Sequence, residues 1–551
     1  MVISKELKFM VGQMIMAGFP SPFVDDQAKK LLSDYQVGNF IYFARNIQGA
    51  ESCARLSKEL SDLTFETLNI CPFISTDQEG GIVSRLIEGA ALIPGAAATG
   101  AAVAGAVYRN SQDRTGAVLE KANNMIYLKV RSVSRSSGEI QRACGINLDL
   151  APDLDVNIEP ANPIIGARSL GDDPAMVAKI GICQMEGLRE GGVVGSIKHY
   201  PGHGNVRSDS HLGIPVNDTP KEVLMETEFK PFEEAIRAGA KALLTSHVRY
   251  TDVDPDNPAT LSKVIITDLL RDTYGFNGIA MTDCLEMDAI RAAYGCGEGA
   301  VRAIEAGIDI LTVSHTYEAV KEVAEAIYQA IESGRISPER IRESFDRIIG
   351  LKQEMGLDKK QEIDPIRAGD MVQTSGRLLL AQDLMEGAIT LLKGDFDLDP
   401  AKDDYLVVSF DQSASNRAED MRPLSFGDKM SAQFQKKVIN LSLNAESPEV
   451  ENAIRQIDEA LSQKEKTKVI LGLYNARFRS GQKEIIQALR ERAEQGKIEV
   501  TTVLLGAPYD FDLVRFAPCV ITTYEYTRLS LEALLDAMKH HDFPGKSPFK
   551  L

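Results

Sequence analysis

The segment Lys198 to His211, KHYPGHGNVRSDSH, brings three histidines, one aspartate and the turn formers Pro201, Gly202 and Gly204 into a single short stretch. Asp209 and His211 stand two apart on what reads as a loop. There the carboxylate can accept a hydrogen bond from one imidazole nitrogen and orient the ring. An imidazole with a pKa near ~6.5 loses and regains a proton at neutral pH, so the pair reads as an acid/base dyad. A metal site using these histidines with Asp209 is the competing arrangement, but no second carboxylate cluster completes its shell. No metal and no cofactor are expected. Other polar residues close short apolar runs: Asp77, Lys198-His199, Ser246-His247, Asp283 and Ser314-His315. The chain has only seven histidines, and three of them end such runs.

Those runs begin at Val11, Val37, Pro72, Ile146, Val193, Ala242, Gly278 and Ile308, and amphipathic stretches such as Pro231 to Ala240, Lys263 to Tyr274 and Gly299 to Gly307 separate them. Strands alternating with helices imply parallel βαβ units, and eight units imply a closed (β/α)8 barrel of the TIM type. An open doubly wound sheet is disfavoured because the first loop lacks a Gly-rich phosphate fingerprint. In a barrel, chemistry belongs at the carboxyl ends of the strands, where the polar residues above fall.

The spacing predicts a closing helix from Ser337 to Leu357, with Ser337 as cap and Pro338 in the first turn. A polar linker follows to Arg377, then a helix from Leu378 to Leu391. A second α/β pattern has strands at Tyr405, Lys437, Lys468, Glu499 and Val520. The expected organisation is α/β: a catalytic barrel over 1–357, a linker and bridging helix over 358–400, and a smaller αβα sandwich over 401–551 that buttresses the barrel. One span is unusual. Residues 97–142 hold seven Lys/Arg against three acids, which reads as an enlarged surface loop and helix or, more sharply, as a basic lip for an acidic substrate.

Apolar residues make up 44% and charged residues 25%, which excludes disorder, collagen and coiled coil for most of the chain. A net charge of −18 argues against a nucleic-acid partner, which needs clustered basic charge. Seven cysteines without metal-ligand spacing read as reduced thiols. No apolar run approaches the ~20 residues of a membrane span, and the N-terminus lacks the shape of a signal peptide. The expected location is the cytoplasm, although a chain already stripped of its signal would read the same way.

The KHYPGHG…DSH segment resembles the signature of family 3 glycoside hydrolases, in the branch of β-N-acetylglucosaminidases. Further blocks resemble that family in the same order: STDQEGGIVSRL from Ser75, NPIIGARSLGDDP from Asn162, TDCLEM from Thr282, and, in the second half, LLGAPYDFD and TTYEYTRLSLEAL. Ile82 departs from it, standing where the family often has Arg. The resemblance implies that Asp283 is the nucleophile and that Asp209 with His211 replaces the usual carboxylic acid as acid/base. It implies that Asp77, Arg85, Arg168, Lys198 and His199 bind the sugar. Asp309 and Ser314-His315 match a further block, with a structural role as the default. The implied reaction is hydrolysis of terminal β-linked N-acetylglucosamine from peptidoglycan fragments or chitooligosaccharides. It retains configuration through a glycosyl-aspartate, and a small carbohydrate is the expected substrate, with no nucleic-acid or membrane partner. A phosphorylase on the same fold or a broader β-glucosidase are the alternatives.

Overall fold

The computed structural model describes residues 3–207, 213–411, 424–462 and 466–551. Eight strands line the first half: β1 (Ile15–Ala17), β2 (Asn39–Tyr42), β3 (Phe73–Thr76), β4 (Leu148–Asp149), β5 (Val194–Tyr200), β6 (Ala242–Thr245), β7 (Ile279–Thr282) and β8 (Leu311–Val313). Every pairing is parallel, in the order β7–β6–β5–β4–β3–β2–β1–β8. A Met281–Ile310 bridge joins the two edges, so the sheet closes on itself. Strands such as FIST (β3) and IAMT (β7) are buried at every position. A barrel strand needs this, because side chains fill one face and helices cover the other. The eight-strand expectation therefore holds.

Between β3 and β4 the span 97–142 forms two helices, α1 (Ala96–Asp113) and α2 (Gly116–Ala143). Three of the seven cations of this span make surface ion pairs: Arg131 with Glu186 and Glu190, Lys129 with Asp383, and Arg135 with Glu139. None of the span lines the cavity described below, so it forms an outer helical face and not a basic lip over that cavity.

Helix α3 (Pro338–Glu354) closes the amino-terminal end of the barrel. The Ser337 hydroxyl accepts from the Arg340 amide (3.2 Å), and Pro338 occupies the first turn, as the sequence predicts. Asp309, fully buried just before β8, accepts from Arg271 (2.6 Å), Arg347 (3.0 Å), the Ser344 hydroxyl (2.7 Å) and the Ala280 amide (3.0 Å). It ties the last strands to α3, which is the structural role expected of it. Lys352, also buried, donates to Gln13 Oε1 (2.9 Å) and the Gly38 carbonyl (2.8 Å) at the same end.

Helix α4 (Ser375–Glu386) leads into a second sheet of β9 (Thr390–Lys393), β10 (Tyr405–Asp411), β11 (Lys437–Ser442), β12 (Thr467–Leu473), β13 (Ile498–Leu504) and β14 (Cys519–Thr522). Its order is β9–β14–β13–β12–β10–β11, and only β9 runs antiparallel. The bridging helix thus stops short of Leu391. Gly387 follows its last turn, and Thr390 and Leu391 instead pair with Thr522 and Ile521 as an edge strand. After β14 the chain turns into α5 (Arg528–His540). No helix among the described residues is long and apolar enough to cross a membrane.

Candidate active site

A cavity of about 520 Å³ opens at the carboxyl end of the barrel. Asp77, Arg85, Arg168, Lys198, His199 and Asp283 all line it. The sequence reading brought these six together, and the structure puts them around one space. Asp209 and His211 lie outside the described residues.

Each wall has a local reason for its position. Asp77 follows β3, and the chain then folds into a tight hairpin, Gln78–Gly80 against Val83–Ser84. Gly80 and Gly81, at φ +95° and +56°, make that turn with backbone angles that side-chain-bearing residues resist. The Gln78 side chain staples the hairpin: its amide donates to the Leu86 and Ala91 carbonyls, and its oxygen accepts from the Arg85 and Leu86 amides. Arg85 is thereby brought back beside Asp77. Lys198 and His199 are on β5, and Asp283 directly follows β7, where its Oδ1 accepts from the Cys284 amide at 2.7 Å.

A chain of buried charges forms one side. Lys198 Nζ lies 2.7 Å from Asp77 Oδ1 and 2.6 Å from Glu79 Oε1. Arg168 grips both oxygens of Glu79, at 2.7 and 3.0 Å, and Arg85 lies 3.3 Å from Asp77. Burial works to raise both carboxyls. Lys198 and Arg85 outweigh it at Asp77, and Arg168 and Lys198 do so at Glu79, so both stay ionised. Burial opposes the Lys198 charge too, yet the two carboxylates hold its ammonium above its ordinary value.

His199 Nδ1 sits 2.6 Å from Asp155 Oδ2, and its Nε2 is 3.3 Å from Arg168 Nη2. Those neighbours assign the tautomer: Nδ1–H donates to Asp155, and Nε2 accepts from Arg168. Burial pushes His199 down to about 4 and the neighbouring His203 down to about 3. Asp155, which also accepts from the His203 amide at 2.6 Å, is raised by burial to about 6. Asp153 is raised further, by burial and by Asp155 beside it.

Asp153, Asp155 and His199 offer three donor atoms within 4.8 Å of one another, a spacing that could hold a metal ion. Two of the three, Asp155 and His199, are already engaged with each other. Asp155 serves His199 and two backbone amides, and the Arg168 guanidinium stands 3.6 Å from Asp153 Oδ2.

Sequence reasoning passed over Glu79, Asp153 and Asp155. Glu79 was inside a quoted block, two residues after Asp77, and that spacing was its signal. Asp153 and Asp155 follow β4 in LAPDLDVN, where alternating acids after an apolar run were the available cue. The opposite wall carries Ser314 and His315, with Arg45 stacked on Phe43 at 4.5 Å and its Nη1 3.3 Å from His315 Nδ1.

The Glycosyl hydrolase family 3 N terminal domain matches residues 6–351, well over half of the chain. The chain belongs to glycosyl hydrolase family 3. All six cavity residues named above fall within the matched family 3 domain. Beta-hexosaminidase A of Pseudoalteromonas piscicida is 30% identical over 401 residues, 69% of this chain and 63% of that relative, so the match spans less than two thirds of it. A beta-hexosaminidase of Neisseria meningitidis serogroup C is 32% identical over 312 residues, 57% of this chain and 81% of the relative. Among solved structures, a glycoside hydrolase family 3 beta-N-acetylglucosaminidase from Paenibacillus sp. str. FPU-7 superposes with a TM-score of 0.88 at 34% identity, covering 100% of this chain and 99% of that one.

Proposed function

We propose that this family 3 protein is a retaining exo-β-N-acetylglucosaminidase acting on terminal β-linked N-acetylglucosamine of peptidoglycan fragments or chitooligosaccharides. The observation that carries the reading is Asp283 at the end of β7, facing a cavity whose other side presents Asp77, Arg85 and Lys198 for sugar hydroxyls. Likeness to proteins named beta-hexosaminidase and beta-N-acetylglucosaminidase supports the choice of sugar.

In the first step the Asp283 carboxylate attacks the anomeric carbon while a proton passes to the leaving oxygen. In the second, water attacks the glycosyl-aspartate, its proton goes to the base, and Asp283 leaves as carboxylate. Two of the three cavity histidines, His199 and His203, suit neither proton transfer. Pushed down to about 4 and 3, His199 and His203 are neutral at pH 7, with no spare proton to give and little basicity to take one. This supports the Asp209-His211 pair as acid/base, with His199 and Arg168 holding the sugar.

The test is turnover of an aryl β-N-acetylglucosaminide beside the aryl β-glucoside. A clear preference for the acetamido sugar is expected, and no preference overturns the reading. His211→Ala should slow a poor leaving group by roughly 10²–10⁴-fold and an activated aryl group far less. Free N-acetylglucosamine is the expected product in phosphate buffer, and a sugar 1-phosphate would make the enzyme a phosphorylase.

A further inference from the structure

The second domain places one side chain against the barrel's sugar-holding hairpin. The turn between β14 and α5 is braced from several sides. Thr527 caps α5, the Thr523 and Ser530 hydroxyls both donate to the Glu525 carbonyl, and Tyr524 reaches Thr390 through its hydroxyl. What this rigid turn presents is the Glu525 carboxylate, only 2% exposed. Its Oε1 accepts from the Thr527 hydroxyl at 2.6 Å, and its Oε2 accepts from the Gly95 amide of the barrel domain at 2.6 Å.

Gly95 is the residue that begins α1, so the carboxylate also faces the positive end of an 18-residue helix. Gly95 in turn packs on Gly81. A Cβ placed on Gly81 would lie 2.8 Å from both Glu525 Oε2 and Gly95 Cα, and the Gly81 amide donates to the Ile93 carbonyl at 2.8 Å. The three residues form one close contact, and Gly81 is the tip of the hairpin that carries Glu79 and Arg85 and begins beside Asp77.

We propose that Glu525 is a positioning residue for the sugar site: from the second domain it holds Gly95 and the Gly80–Gly81 turn, and thereby sets where Asp77, Glu79 and Arg85 stand. The second domain is then part of the site's framework. A neutral amide can replace the carboxylate, because the Gln oxygen can accept from Gly95 and its nitrogen can donate to Thr527. A shorter side chain cannot reach Gly95.

The experiment compares Glu525→Ala, Glu525→Asp and Glu525→Gln in the full-length protein. Amide exchange at Gly81 and Gly95 is followed by NMR, with KM and kcat measured on an aryl β-N-acetylglucosaminide. In the Ala and Asp variants the two glycine amides should exchange at least about tenfold faster. KM should rise about tenfold or more with kcat within about threefold, and the Gln variant should restore both. If the Ala variant does not fold, the Asp variant carries the same reading. Unchanged exchange and KM in a folded Asp variant would overturn the proposal, as would equal losses in Asp and Gln. The kinetic arm rests on the acetylglucosaminidase reading and the exchange arm does not. A wild type inactive on this substrate would therefore sink that reading while the exchange result still decides the role of Glu525.

Discussion

The two ends of the barrel bury charge in opposite ways. At the amino-terminal end Asp309 has Arg271, Arg347 and Ser344 on its two oxygens, and Lys352 is surrounded by neutral acceptors. Burial pushes Lys352 down to about 7. Asp309 and Lys352 themselves are fully buried here, and their partners are groups of the protein. At the carboxyl end, cations alternate with carboxylates from Arg85 through Asp77, Lys198 and Glu79 to Arg168, and one flank of the chain opens onto the cavity. One cluster ties strands to a helix. The other holds side chains at fixed places around a space left for something else. Buried charge alone does not mark a functional site; buried charge with an open face does.

The sharpest way to break this contrast is Asp283→Ala. Turnover should fall by about 10⁴-fold or more, roughly 5 kcal/mol of barrier, with melting temperature nearly unchanged. Activity within tenfold of the parent would remove the carboxyl end's claim to chemistry. The mirror experiment is Asp309→Asn, which leaves the half-buried Arg271 and Arg347 short of a counter-charge and should cost about 1–3 kcal/mol in denaturant titration. KM of the folded fraction should stay the same; a rise in KM would mean the two ends are coupled.

Asp155→Asn should act more mildly, lowering kcat/KM about 10–100-fold at pH 8. The Asn amide favours the other His199 tautomer, which then meets Arg168 donor to donor. Unaltered kinetics would show that the tautomer is irrelevant. The smallest effect concerns Glu525, which burial raises to about 7 from an ordinary value near 4.5. Between those two values the folded chain holds a proton that the unfolded chain has lost. This contribution therefore favours folding at low pH and fades as pH rises to 7. Relative to wild type, Glu525→Gln should gain stability on the order of 1–2 kcal/mol from pH 5 to pH 8 by thermal melts, and a pH-independent difference would contradict it.

The barrel was legible because each strand is a short apolar run stopped by a polar residue, and a parallel sheet buried on both faces has that signature. Asp77, Lys198 and Asp283 were legible for the same reason, as the stops themselves. Glu79 and Asp155 were not, because their role depends on partners far along the chain: Arg168 for one, and His199 with the His203 amide for the other. No local pattern encodes a contact across 89 residues. The start of edge strand β9, Thr390 and Leu391, reads as the end of a helix because an apolar residue there fits either period. Pairing with β14 decided the matter, and that pairing is tertiary. Glu525 drew no attention because nothing in TTYEYT says that its neighbour is Gly95.

The alternating cations and carboxylates beneath the cavity also bear on how the protein meets its solution. Three cations there share two carboxylates through short, largely buried ion pairs, so dissolved salt has little to screen. A neutral sugar feels almost no pull from the molecule's overall charge of −18. Capture of such a sugar would then depend on shape and short contacts, and its KM is expected to stay within about twofold between dilute and saline buffer.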